Sequence, residues 1–490
     1  MASTAFTWKA ILLLSYTQFL GHGPVISGEQ SAAGSAQSNG LQLQDLVVVV
    51  LSQPNPFHVQ RAEAFREHFD EQLQSTPENE RTLLFFPHEK WPDLRGAWTV
   101  FPLIPKFAEL FSENKWIIVC EEETRIDLSK MLQLFQQYDG IEEPFLGRGL
   151  QDKSATIIHH FAFFDDPSVF SYPDFSAGMA LSTYLVKRFA EKLAEKSVDM
   201  GFSIDPKHEF AKYLLDNLGV RLSPLCQFCG GGEDNRLNKN CECATQQPLK
   251  FPDCGPPVAK DDLFVAVKTC SKFHQDRVPV VQSTWGRETE LIEYYSDEEN
   301  ATIPTVDLGV PNTERGHCGK TQAIFERAVK TERISSREWL LVADDDTLIN
   351  LDLLRYLLPC YNSDEPVAVG ERYGYGVSSG RGYDYLTGGG GMLFNKAAVQ
   401  LLAKEFRCPS NDSPDDMLLG MFFASRGIPV THSPYFHQAR PEDYSEDFLQ
   451  NHIPVSFHKH WNTNPYDVYD RLKNAQQPRV PVYADAHEEL

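Results

Sequence analysis

The sequence is short of basic residues and of long apolar runs, and each shortage removes a class of protein. Lys and Arg number 45 against 68 Asp and Glu, for a formal net charge of −23. A nucleic-acid binder needs clustered cations to displace the counterions of the phosphate backbone, so that class is excluded. No apolar stretch reaches the roughly 18–20 residues of a membrane-spanning helix. The composition, 42% hydrophobic and 23% charged, also excludes a collagenous or largely disordered chain. What remains is a globular protein of 490 residues, long enough for roughly two to four domains.

The two ends carry addresses. Lys9 is the only charge in the first 28 residues, and the apolar Ala10–Leu14 follows it before the small residues of 21–28. This order reads as a cleaved secretory signal over 1–28. A short membrane anchor is the alternative, but Ser15, Thr17 and Gln18 interrupt the stretch. Residues 29–44, rich in Ser, Ala, Gly and Gln, read as a linker. The tail, within 476–490, ends His487-Glu488-Glu489-Leu490. It is similar to the retrieval signals read at a free C-terminus by an endoplasmic-reticulum receptor. Together the ends predict a lumenal protein with no spanning segment in the mature chain. In that oxidising compartment the ten cysteines are expected to form disulfides. Cys226, Cys229, Cys241, Cys243 and Cys254 could instead hold zinc, although the C-x-C spacing is poor for it. Asn300-Ala-Thr302 is an N-glycosylation acceptor, and Asn411-Asp-Ser413 a poorer one because Pro414 follows.

Between the ends the chain repeats itself. Residues 225–258, rich in Cys, Gly, Asn and Pro, separate two segments, 45–224 and 259–475. The run Leu46–Leu51 with Phe57, His58 and Arg61 parallels Leu263–Val267 with Phe273, His274 and Arg277. Trp116–Thr124 parallels Trp339–Thr347, and Gly178-Met179 parallels Gly391-Met392. These landmarks keep their order while their spacing drifts, which predicts an old internal duplication. Apolar runs alternate with helical patterns such as 183–196 and 396–406. The expected fold is therefore α/β: two tandem Rossmann-like domains with mostly parallel sheets.

The second segment carries the chemistry. The apolar run Trp339–Ala343 ends in Asp344, Asp345 and Asp346. Ligands bind at the carboxyl ends of strands in such sheets, and three adjacent acids repel unless a hard cation joins them. A metal–diphosphate site is expected there, a surface acidic turn being the plain alternative. The first segment has Glu121, Glu122 and Glu123 in the same place and no matching glycine run, which predicts a copy that has lost catalysis. Thr387 precedes four glycines, Gly388–Gly391, which let backbone approach a ligand closely. Pro414-Asp415-Asp416 opens an apolar helical run, where one acid can cap the helix and the other act as general base. His437 is a metal ligand or a core imidazole on the residues alone.

These pieces, Val267–Cys270, Phe273–Arg277, Thr284-Trp285, Asp344–Asp346, Thr387–Gly391, Pro414–Asp416 and Ser433–His437, stand in an order that resembles the Fringe-type branch of the β-1,3-glycosyltransferases. Across 45–490 the chain is most similar to those members of that family that glucosylate O-linked fucose on thrombospondin type 1 repeats. The resemblance implies a GT-A fold for the second, catalytic domain, UDP-glucose as donor, Mn2+ as cofactor and an inverting reaction. It implies that Asp346 is the principal metal ligand, with Asp344 and His437 completing the metal site. It places the donor against Thr269, Arg277, Asp344, Asp345, Gly389 and Gly390. It makes Asp416 the catalytic base, with Asp415 orienting it or binding acceptor. His458 and His460 fall outside the matching motifs. The partners implied are O-fucosylated thrombospondin repeat proteins and the retrieval receptor. UDP-GlcNAc or UDP-galactose remains open as donor, as does a lumenal glycan-binding or chaperone-like protein without catalysis.

Overall fold

A computed structural model describes residues 40–195, 201–231, 241–248, 250–459 and 462–474. The signal segment, residues 29–39 of the linker, His460 and the tail lie outside the described residues. From Leu41 onward the described residues form one compact unit. Two mixed sheets organise it. The strands of the first are β1 (Leu46–Leu51), β2 (Leu83–Phe85), β3 (Trp116–Glu121), β4 (Phe145–Gly147), β5 (Met179–Ser182) and β6 (Ser223–Pro224). Those used here from the second half are β7 (Leu263–Lys268), β8 (Ile292–Ser296), β9 (Thr305–Asp307), β10 (Trp339–Asp344), β11 (Thr347–Ile349), β12 (Ala368–Gly370), β13 (Met392–Asn395), β14 (Thr431–His432) and β15 (Ser456–His458).

The two sheets have corresponding orders. The first runs β2-β1-β3-β5-β4-β6, and the second β9-β8-β7-β10-β13-β12-β14. In both, the central pair is parallel and starts at a Trp: Leu46 faces Trp116, and Leu263 faces Trp339. In both, the next two pairings are antiparallel and the edge pairing parallel. The central strands are buried on both faces, which is why they read as continuous apolar runs rather than alternating ones. Val47, Val49, Ile117 and Val119 face one core, and Val48, Val50, Ile118 and Cys120 the other. Each fully buried Val or Ile contributes about 1.5–3 kcal/mol.

Helices cover the faces: α1 (Pro56–Gln72), α2 (Thr183–Glu195), α3 (Pro206–Leu218), α4 (Cys318–Lys330), α5 (Lys396–Glu405) and α6 (Asp415–Ala424). Local chemistry sets their ends. Asn55 caps α1 by accepting from the Phe57 amide, and Asp205 caps α3 by accepting from the Lys207 amide. Gly219 closes α3 at φ 69°, a backbone that side chains disfavour. The halves interlock. Trp98 donates to Asp384 at 2.9 Å, Gln53 donates to the His432 carbonyl at 3.0 Å, and Phe57 packs edge-on against Tyr361. Eight cysteines pair as Cys226–Cys241, Cys229–Cys243, Cys254–Cys360 and Cys318–Cys408, while Cys120 and Cys270 are free and buried. The zinc alternative is therefore set aside, because all five cysteines it needed are in disulfides.

Candidate active site

The register of β7 against β10 places Lys268 opposite Asp344. From there the buried Lys268 Nζ lies 3.1 Å from Asp344 Oδ1 and 2.9 Å from Asp415 Oδ2. Thr321 on α4 donates to the same Asp415 oxygen at 2.6 Å. Burial alone lowers a lysine pKa, but here the two carboxylates more than offset it and hold Lys268 charged. Lys268 thus ties the acid turn to the start of α6. Sequence reasoning passed over it, although it stands inside the Val267–Cys270 motif.

The two acids of α6 are driven apart. Burial pushes Asp415 up, but the Lys268 charge and the Thr321 hydrogen bond bring it down to about 2. Burial and then the Asp415 charge push the partly buried Asp416 up to about 6, held back by the Met417 amide, which donates to it at 2.7 Å. Neighbouring acids separated in this way have divided roles: one is a permanent anion, the other poised to take a proton. Asp415 does not cap the helix, since Pro414 is the N-cap residue and makes no side-chain cap bond.

The acid turn is also held from the segment that follows β7. Thr269 donates to Asp345 at 2.7 Å, and Arg277 Nη1 lies 3.0 Å from Asp345 and 2.9 Å from Asp346. Arg277 in turn stacks on the Phe273 ring, 3.8 Å from its centroid. Burial pushes Asp345 up to about 6 against the Thr269 bond, with the Asp346 charge adding to the rise.

The histidine at the turn is His458. β11 and β15 pair antiparallel with Thr347 opposite His458, and this carries the ring to the acids. His458 Nε2 lies 3.0 Å from Asp346 Oδ1 and 3.9 Å from Asp344 Oδ2, while Nδ1 donates to the Gln438 carbonyl at 3.0 Å. Asp344, Asp346 and His458 offer ligand atoms all within 4.8 Å of one another. With Nδ1 given to a carbonyl, Nε2 is the nitrogen left facing the carboxylates. Two carboxylates and an imidazole nitrogen so close together are a donor set that fits a divalent ion with oxygen and imidazole ligands.

His437, expected as the second metal ligand, is not in this group. It is buried at the other end of the same segment, its ring stacked on Phe457 and its Nδ1 donating to the Ser456 carbonyl at 3.1 Å. Burial, then the nearby His452, lower its pKa to about 3, which keeps the ring neutral. The motif that matched the Fringe-type pattern ended at His437, whereas a strand pairing between residues 111 apart brings in His458. The glycine run serves this arrangement. A Cβ on Gly389 would lie 2.2 Å from the His458 ring, so glycine is what lets the ring reach Asp346. Thr347 donates to the Gly389 carbonyl at 2.8 Å, and the Gly390 amide donates to Gln438 at 2.9 Å.

In the first half, Thr124 donates to the Ser176 carbonyl at 2.8 Å, as Thr347 does to Gly389, and Gly178 has φ 88° where Gly391 has 94°. The frame of the site is present there. Its acids are engaged otherwise: Glu122 with His58, and Glu123 with Arg61. Among the described residues, no metal-competent cluster includes them. Of the two glycosylation acceptors, Asn411 is exposed and Asn300 half-exposed.

Residues 258–483 match the family model described as Fringe-like. The human β-1,3-glucosyltransferase is 50% identical over 447 residues, which cover 90% of this chain and 88% of that protein. The chain belongs to the Fringe-like β-1,3-glycosyltransferases. Human lunatic fringe, a β-1,3-N-acetylglucosaminyltransferase, is 26% identical over 259 residues, 47% of this chain and 65% of its own length. Among solved structures, the likeness to a glycosyltransferase involved in the glycosylation of the major capsid of PBCV-1 is weak, with a TM-score of 0.27 at 13% identity over 43% of this chain and 98% of that one. The α/β assignment rests on the strand orders above. As a Fringe-like enzyme the chain is a hexosyltransferase, and its acid turn is compatible with a divalent cation and a nucleotide sugar. No helix among the described residues is long and apolar enough to cross a membrane.

Proposed function

We propose that the chain transfers glucose from UDP-glucose to the 3-hydroxyl of O-linked fucose on thrombospondin type 1 repeats, with inversion, in the endoplasmic-reticulum lumen. Residues 259–475 carry the reaction, and 45–224 are a degenerate copy that has given up donor chemistry. The observation that carries this reading is the pair Asp415 and Asp416, joined through Lys268 to the acid turn. Asp416, poised near neutral pH, takes the proton from the acceptor hydroxyl. The freed oxygen attacks the anomeric carbon from the face opposite the leaving UDP, and an α-linked donor gives a β-linked product. Asp415, paired with Lys268, keeps a fixed anion beside Asp416. Thr269 and Arg277 hold Asp345 and Asp346 on the donor side.

Asp344, Asp346 and His458 are the residues that would hold Mn2+. When bound, that ion neutralises the diphosphate as it departs. The 50% identity to a β-1,3-glucosyltransferase supports glucose as the donor sugar. The test is UDP release with Mn2+ from UDP-glucose, UDP-galactose and UDP-GlcNAc, each with and without an O-fucosylated thrombospondin repeat. Acceptor-dependent release from UDP-glucose alone is expected. Release from another donor moves the substrate, and no release from any donor overturns the enzyme reading.

A further inference from the structure

The two halves enclose a cavity of about 180 Å3 that is separate from the acid turn. None of Lys268, Asp344–Asp346, Asp415, Asp416 or His458 lines it. Its first wall is Glu121–Glu123, at the end of β3, together with the start of α3. In the first half this is the position that the acid turn and α6 occupy in the second. Its other wall comes from the second half and includes Arg372 and His437.

The unpartnered polar atoms of its lining residues are unbalanced. Glu122 Oε2, Gln247 Oε1, Asn451 Oδ1 and His437 Nε2 belong to lining residues, are buried and have no hydrogen-bond partner. All four accept. His437 is 2% exposed, and its Nδ1–H is committed to the Ser456 carbonyl, so Nε2 presents a lone pair. Against them stand one N–H of Arg372 and the Tyr361 hydroxyl. Each buried acceptor left unpaired costs about 1–3 kcal/mol, so the cavity calls for an occupant rich in donors. Arg61 and Lys207 line it too but are paired with Glu123 and Asp205, and the six lining carboxylates outnumber the four lining Lys and Arg, which disfavours a diphosphate. A metal ion is disfavoured too, because among the described residues these carboxylates form no cluster with three ligand atoms within 4.8 Å. Hydroxyl groups satisfy every member: each donates to one acceptor and can accept from Arg372 or Tyr361. The volume is below the roughly 300–1,000 Å3 of sites for drug-sized ligands, which suits one sugar ring.

We propose that this cavity binds a small neutral polyhydroxylated molecule of the monosaccharide class, at a site distinct from the donor site. The inference does not depend on the glucosyl-transfer reading. The full chain, saturated with UDP and Mn2+, is titrated with glucose, fucose, galactose and myo-inositol and read by saturation-transfer NMR. Saturable binding of at least one is expected, with a Kd on the order of 1–10 mM. It should survive Asp346→Ala and weaken at least tenfold in His437→Leu and in Gln247→Leu, with folding checked by circular dichroism. The wild-type titration decides even where those variants fail to fold. No saturable signal from any of the four at about 100 mM means that the cavity holds only water and overturns the proposal. A signal lost in Asp346→Ala assigns the binding to the donor site and also overturns it, as does inorganic phosphate competing for the same site.

Discussion

Replacing Asp415 with Asn tests how the site makes its base. Asp416 sits at about 6, against roughly 3.9 for an unperturbed Asp. Burial is the first cause, and the Asp415 charge is the next. Two like charges several ångströms apart at an effective dielectric of about 20 repel by about 2 kcal/mol. Lys268, 2.9 Å from Asp415, cancels part of that. The net contribution is about 1 kcal/mol, or a little under one pH unit. The assay is the pH profile of kcat/KM for UDP release with the fucosylated acceptor. In the wild type the rate should fall as pH drops through about 6, where Asp416 takes up a proton. In Asp415→Asn that limb should move down toward about 5. Asp345 also sits at about 6, so it is a rival owner of the limb. Its perturbers are burial, Thr269, Asp346 and Arg277, and Asp415 is not among the causes of its shift. A limb that stays in place in a folded Asp415→Asn variant therefore refutes Asp416 as the group titrating in the rate.

Asp416→Asn should cut transfer by about 10²–10⁴-fold. Its raised pKa makes the ionised form costly above pH 6, so the same variant should be more stable at pH 7.5, by about 1–3 kcal/mol allowing for partial exposure. That gain should vanish below about pH 3, where the wild-type carboxyl is protonated in both states, and urea denaturation at the two pH values checks it. His458→Ala should weaken Mn2+-dependent UDP binding, and His437→Ala should leave it within about twofold, as calorimetry can report; the reverse pattern would restore His437 to the metal site. Gly389→Ala puts a methyl 2.2 Å from the His458 ring. It should lower metal affinity by about 10–100-fold while the fold survives, read by Mn2+ titration of UDP binding.

Much of this protein is written locally. The strand runs Leu46–Leu51, Trp116–Glu121, Leu263–Lys268 and Trp339–Asp344 were legible because strands buried on both faces need unbroken apolar residues. The expected helical stretches 183–196 and 396–406 appear as Thr183–Glu195 and Lys396–Glu405. The acid triplet and the Pro-Asp-Asp motif were legible because their neighbours in sequence are their neighbours in space. What only the tertiary structure decided are the contacts that close over long loops. His458 reaches Asp346 through a strand pair 111 residues apart, and Lys268 meets Asp415 across 147 residues. Nothing in composition or local spacing encodes such a meeting. The same holds for His437, whose motif pointed to the metal but which the fold places among the residues lining the cavity between the halves. A motif records which residues are near one another along the chain. Which of two nearby imidazoles faces a carboxylate is settled by strand register, and register is a property of the assembled sheets.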